Sequence, residues 1–136
     1  MPDDAPRSIN IPALNEESPF HRLLGLTVSQ VRSGEVEVVM PYSDRLLAST
    51  TSPYIHGGAI ATLIDVAGNF AIIAAIGRDV PTIDLRIDYL RPVRNGALRA
   101  VGRAIKVGRR LGVADVEVFD EAGQTVAIGR GLFSTA

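Results

Sequence analysis

The residue types that could do chemistry gather in one stretch. His56-Gly57-Gly58 opens an apolar run, and from Gly58 to Ile76 the sequence reads GAIATLIDVAGNFAIIAAI. That run holds one charge, Asp65, and one amide, Asn69. A lone carboxylate among apolar neighbours is costly unless it is paired, hydrogen-bonded or used, so Asp65 is a candidate base or nucleophile. Gly57 and Gly58 leave the backbone at the start of the run open to a ligand. The first N–H groups of a helix have no internal partner and lie at the positive end of its dipole. Such a group can polarise a carbonyl and stabilise a developing oxyanion. The local alternatives are a tight loop-to-helix turn at the glycines and a purely structural Asp65.

Spacing constrains how these groups could cooperate. Asp65 lies eight residues beyond Gly57, roughly 12 Å along a helix axis. A helical side chain leans back toward the N-terminus but recovers only a few ångström. One helix cannot easily bring both groups to one carbonyl. Two antiparallel helices from two copies can, which predicts a site at a two-fold dimer interface.

Other chemistries are excluded by what is missing. There is no Cys, and His21 and His56 are the only histidines; disulfides, thiolate nucleophiles and a multi-histidine metal site within one chain are out of reach. No phosphate-binding glycine loop, Gly-x-Ser-x-Gly elbow or His-Glu-x-x-His occurs. Net charge is −1, which argues against nucleic acid. Charge is unevenly distributed, however. Arg78 to Arg110 holds nine basic residues and three acids, and the remainder five and twelve. Thirteen of the fourteen bases are Arg, suited to bidentate phosphate or carboxylate contacts. A basic region on a mildly acidic chain predicts a small anionic ligand.

The elements that must position these groups follow from patterning. The 136 residues, 46% hydrophobic and 21% charged, suffice for one domain with a proper core. Residues 1–17 are polar and proline-containing and read as a loose arm before a domain spanning 18–136. Pro19 to Leu24 predicts a short helix capped by Ser18, with His21 as a surface or packing residue. Leu26 to Val31 and Glu35 to Pro41 predict a hairpin around Ser33-Gly34. A Ser- and Thr-rich loop from Tyr42 to Ile55 leads into the apolar helix, about 28 Å long. That helix is long enough to cross a membrane. Asp65, Asn69, the internal glycines and the absence of a basic flank or a second span argue instead for a buried core helix. In Thr82 to Leu90, Ile83, Leu85, Ile87 and Tyr89 alternate with Asp84, Arg86 and Asp88. Further strands are predicted at Ala97 to Val107, Leu111 to Phe119 and Gln124 to Phe133. The expected fold is α+β: a hairpin, one long helix, then an antiparallel meander wrapped around it. The opening MPDDAPRSIN has no apolar segment, so no secretory signal is expected and the reading is a cytoplasmic protein.

Pro53-Tyr54-Ile55-His56-Gly57-Gly58-Ala59-Ile60-Ala61-Thr62-Leu63-Ile64-Asp65 resembles the active-site segment of hotdog-fold acyl-CoA thioesterases of the PaaI-like and THEM2-like group. Thr82 to Pro92, Gly108-Arg109-Arg110-Leu111 and Asp120-Glu121-Ala122-Gly123 resemble that family's next strand and two later turns. The match runs from about Leu24 to Phe133. The resemblance implies a hotdog fold, a homodimer often paired into a homotetramer, and hydrolysis of an acyl-CoA with no cofactor beyond the CoA of the substrate. It implies Asp65 as nucleophile or general base and the Gly57 amide as the group polarising the carbonyl. Thr82 would orient the water. Thr50 stands where the family often has an Asn contacting the thioester. Arg109 and Arg110 would lie near the CoA phosphates, and His56 would shape the loop. Tyr54, Gly58 and Asn69 complete the expected binding residues, and Tyr54, Ile60, Phe70 and Ile73 are candidates for the acyl slot. Two other readings are a non-catalytic acyl-CoA or acyl-carrier binding protein and a hotdog hydratase or dehydratase. The latter normally wants an Asp and a His close together, and no helix His accompanies Asp65.

Overall fold

The structure, a computed structural model, describes residues 9–136. Two short helices open it: α1 (Ile11–Glu17), capped by the Asn10 side chain, and α2 (Pro19–Leu24), capped by Ser18 and closed by Gly25 at φ +70°. The first of these corrects the loose arm expected over 1–17. Residues 11–17 are helical because Ile11, only 1% exposed, anchors them to the core, and Asn15 is buried with its amide donating to Leu26 O. The earlier part of the expected arm, 1–8, lies outside the described residues.

Strands β1 (Thr27–Arg32) and β2 (Glu35–Met40) form the expected hairpin. The apolar run is helix α3 (Gly57–Ile76), ended by Gly77 in the left-handed region that favours glycine. Strands β3 (Thr82–Tyr89), β4 (Leu98–Val107), β5 (Leu111–Phe119) and β6 (Thr125–Ser134) follow. All strands join one antiparallel sheet in the order β1-β2-β4-β5-β6-β3. The meander is therefore β4-β5-β6 alone. β3 does not pair with β4, because β2 already occupies that edge through Glu35↔Arg103 to Met40↔Leu98. β3 instead closes the far side of the sheet against β6 and is itself an edge strand.

One face of the sheet wraps α3. Val36, Val38, Leu98, Ala100, Ala114, Val116, Val118 and Phe133 point inward and pack on Leu63, Ile64, Ala67, Ala71 and Ile72. Helix and sheet meet closely where side chains are small. A Cβ added at Gly102 of β4 would lie 2.2 Å from the Ala67 carbonyl oxygen, so only glycine fits there. The outer face is polar and laced with ion pairs, among them Arg99–Glu37 and Arg130–Asp115. α3 is the one helix among the described residues long and apolar enough to cross a membrane, and it is the core of this domain. Its less buried stripe carries Gly58, Thr62, Asp65 and Asn69, spaced as one helical face.

Candidate active site

Asp65 sits half-buried on that stripe, and its carboxylate Oδ1 accepts a 2.8 Å hydrogen bond from the Thr82 hydroxyl. Strict alternation along β3 would put Thr82 on the outer face with Asp84, Arg86 and Asp88. A bulge between Thr82 and Asp84 reverses this: Thr82 stands opposite inward Phe133, whereas Asp84 stands opposite Leu132. The extra residue re-aims one side chain at the helix. It also corrects the expected apolar face of β3. Leu85, Ile87 and Tyr89 lie on the helix side, but Ile83 is turned outward and 55% exposed.

The helix start forms a second cluster. His56 is the N-cap; its Nδ1 accepts from the Gly58 N–H at 2.8 Å. A neutral His56 with Nδ1 as acceptor carries its proton on Nε2. The Gly57 N–H donates to no acceptor among the described residues. Thr62 donates to the Gly58 carbonyl. Both glycines have a local reason: a Cβ at Gly58 would lie 2.9 Å from the His56 ring, and one at Gly57 would lie 3.3 Å from the Tyr89 ring. Tyr89 also donates its hydroxyl to the Gly57 carbonyl at 2.7 Å. Tyr89 was missed by sequence reasoning. Its place on the apolar face of β3 was visible, but not that this strand's end meets the helix start.

The remaining expected residues are dispersed. Tyr54 lies on the loop before α3, its hydroxyl accepting from Arg94 and its ring beneath that guanidinium. Thr50 is exposed on the same loop. Asn69 donates to the Val80 carbonyl at 2.7 Å, which ties α3 to the segment entering β3. Arg109 and Arg110 lie in the β4–β5 turn, beside the chain end held by Arg78: Thr135 N–H donates to Arg110 O, and Arg78 donates to Thr135 O. This is the Thr82 end of the sheet, since Leu111 pairs with Ser134 and Phe133 with Thr82. Of the acyl-slot candidates, Ile60 and Ile73 are sealed in the core. Phe70 is buried too, but borders a cavity of about 270 Å³ with Leu14, His21 and Asn69. His21 packs edge-on against Phe70, and its Nδ1 meets the Asn15 side-chain oxygen. Burial pushes its pKa below the ordinary histidine value, while the Asp65 charge pulls more weakly the other way.

One chain thus holds two separate clusters. Asp65, Thr82 and the arginines lie at one end of β3, and Gly57, His56 and Tyr89 at the other. Within a chain they do not meet.

Comparison with known proteins gives this arrangement a family. The model of the thioesterase superfamily matches residues 53–127, more than half the chain and including both clusters. A protein of Halobacterium salinarum with a provisional esterase name is 38% identical over 121 residues, covering 81% of this chain and 80% of that protein. The medium/long-chain acyl-CoA thioesterase YigI of Salmonella typhimurium is 29% identical over 118 residues, 76% of each chain. The Escherichia coli PaaI protein of the phenylacetic acid degradation operon superposes with a TM-score of 0.82 at 27% identity, covering 90% of this chain and 87% of that one. With its six-stranded antiparallel sheet around a single long helix and its His-Gly-Gly helix start, the chain is a hotdog-fold member of the thioesterase superfamily.

Proposed function

We propose that this protein hydrolyses acyl-CoA thioesters with an aryl or medium-chain acyl group, at sites shared between two copies of the chain. The observation that carries the reading is the course of β3. Its first residue, Thr82, holds Asp65 and its last, Tyr89, holds Gly57; the strand ends are about 23 Å apart at roughly 3.3 Å per residue, and the two helix residues about 12 Å apart along the axis. β3 is also an edge strand with exposed Ile83 and Tyr89, followed by exposed Leu90. Such an edge is a template for another strand. A partner's β3 laid antiparallel across a two-fold at Arg86, with the bulged Thr82–Ile83 counted as one position, sets Thr82 opposite the partner's Tyr89. Strands in a sheet lie about 4.8 Å apart, so Asp65 of one chain and the partner's Gly57 then flank one pocket, twice per dimer.

In that pocket the unbonded Gly57 N–H donates to the thioester oxygen and stabilises the oxyanion of the tetrahedral intermediate. Asp65 either deprotonates a water or attacks the carbonyl itself. The bond from Thr82 fixes which carboxylate oxygen is free. Coenzyme A leaves as the thiol, and no metal or further cofactor is required. Thr50 offers one hydroxyl where the family often has an amide. Arg109 and Arg110, at the Asp65 end, meet the CoA phosphates as bidentate donors. Pairing of dimers into a tetramer belongs to the same reading, as does a cytoplasmic setting.

The test is a panel of aryl, medium-chain and long-chain acyl-CoAs assayed for free-thiol release, with matching thioesters that lack the nucleotide. Turnover of one class supports hydrolysis. Binding of acyl-CoA without thiol release would make the protein a non-catalytic carrier. Arg109→Ala with Arg110→Ala raises KM for CoA esters alone; equal effects on both thioester types would remove the pair from the nucleotide site.

A further inference from the structure

Tyr89 has no part in the chemistry described so far, yet it makes two contacts with the residue on which the oxyanion depends. Its hydroxyl donates to the Gly57 carbonyl at 2.7 Å, and its ring stands 3.3 Å from where a Cβ at Gly57 would be. The same carbonyl is the helical acceptor for the Ala61 N–H. The hydroxyl is therefore an added donor, arriving from a different element. The need for one is local. His56-Gly57-Gly58 starts the helix with two residues of wide backbone freedom, and helix ends fray. His56 secures the Gly58 N–H; nothing else in the described chain from outside the helix holds Gly57.

We propose that Tyr89 is a positioning residue for the Gly57 amide: it fixes the first peptide of α3 so that the free N–H keeps one direction toward the thioester oxygen. This rests on the reading of Gly57 as the oxyanion donor. β3 thereby serves both clusters, with Thr82 orienting the base at one end and Tyr89 the oxyanion donor at the other. A donor aimed in advance costs no reorganisation when charge develops. The bond should act on the transition state more than on binding, because the oxyanion exists only there.

Tyr89→Phe removes the hydroxyl and keeps the ring. With the acyl-CoA that the wild type turns over best, kcat falls roughly 3- to 10-fold, the worth of one neutral hydrogen bond, and KM stays within about twofold. Backbone amide exchange is measured on the same variant, independent of activity, and Ala61 exchanges faster than in wild type. Wild-type kcat and wild-type exchange in Tyr89→Phe overturn the proposal while leaving thioester hydrolysis standing. A rise in KM with unchanged kcat also overturns it, by making Tyr89 a binding contact. If the wild type hydrolyses no thioester, the catalytic reading fails by itself, and the exchange measurement still decides whether Tyr89 orders the helix start.

Discussion

Replacing Thr82 by Val tests whether the bond to Asp65 matters to turnover. Val keeps the shape and β-branching of Thr and deletes the 2.8 Å hydrogen bond to Oδ1. A hydrogen bond to a charged group is worth about 1.5–3 kcal/mol net. Thr82 is exposed and Asp65 half-buried, so the lower end applies, about 1.5 kcal/mol. If that bond orients the carboxylate in the transition state, kcat drops about tenfold. Thr82→Ser restores the hydroxyl and should return kcat to within about twofold of wild type. The assay is continuous detection of released CoA thiol at saturating substrate, with thermal unfolding followed in parallel. The same bond is lost from the folded state, so the unfolding midpoint should fall by several degrees at most, leaving the variant folded at the assay temperature. A Val variant at wild-type kcat, or a Ser variant as slow as Val, would refute the orienting role and reduce the contact to packing.

Three further outcomes are expected. Asp65→Asn, which can still accept the Thr82 bond, leaves unfolding unchanged and lowers turnover at least roughly 100-fold; wild-type turnover would make Asp65 structural. Gly102→Ala drives a methyl into the Ala67 carbonyl and destabilises the fold by roughly 3 kcal/mol or more, read as a lower urea midpoint. Finally, burial holds the folded-state pKa of His21 below its ordinary 6.5, so as pH falls through that value the unfolded chain takes up the proton first. Stability from this group is complete above pH 6.5 and declines below it. His21→Phe should flatten that part of the stability–pH curve, and an unchanged slope would assign it to other groups.

Much of the fold was legible because periodicity is a strong signal. The apolar run from Gly58 carries only Thr62, Asp65 and Asn69 as polar side chains, so a helix largely covered by the sheet was expected; that those three share its less buried face is what the structure adds. Glu35 to Met40 alternates strictly and is a strand buried on one side. Legibility failed where tertiary contact overrides pattern. Ile83 belongs to the apolar phase of β3, but a bulge turns it outward and sends Thr82 in its place. Bulges leave no mark in alternation. Strand order was also hidden, because local pattern says which residues extend and not which edge they find; β2 takes the edge of β4 that the meander assigned to β3. Residues 11–17 look polar and loop-like, yet buried Ile11 suffices to dock a helix. At the candidate site, Asp65 stood out as the one carboxylate of the apolar run, whereas a Gly-Gly pair is a weak signal and Gly57 took its expected role from the family resemblance. Tyr89 did not, since an aromatic on an apolar strand face looks like core until its hydroxyl is seen on the Gly57 carbonyl.

The shared site is tested most directly by complementation between two inactive chains. Asp65→Asn chains keep Gly57, and Gly57→Val chains keep Asp65 but carry a side chain that collides with Tyr89 and covers the amide. Differently tagged, co-expressed and purified as the mixed dimer, they form one site with both groups intact and one with neither. Each parent should be inactive in thiol release, and the mixed dimer should recover about half the wild-type turnover per dimer. A well-folded mixed dimer with no activity would contradict a site shared across β3 and return both groups to a single chain.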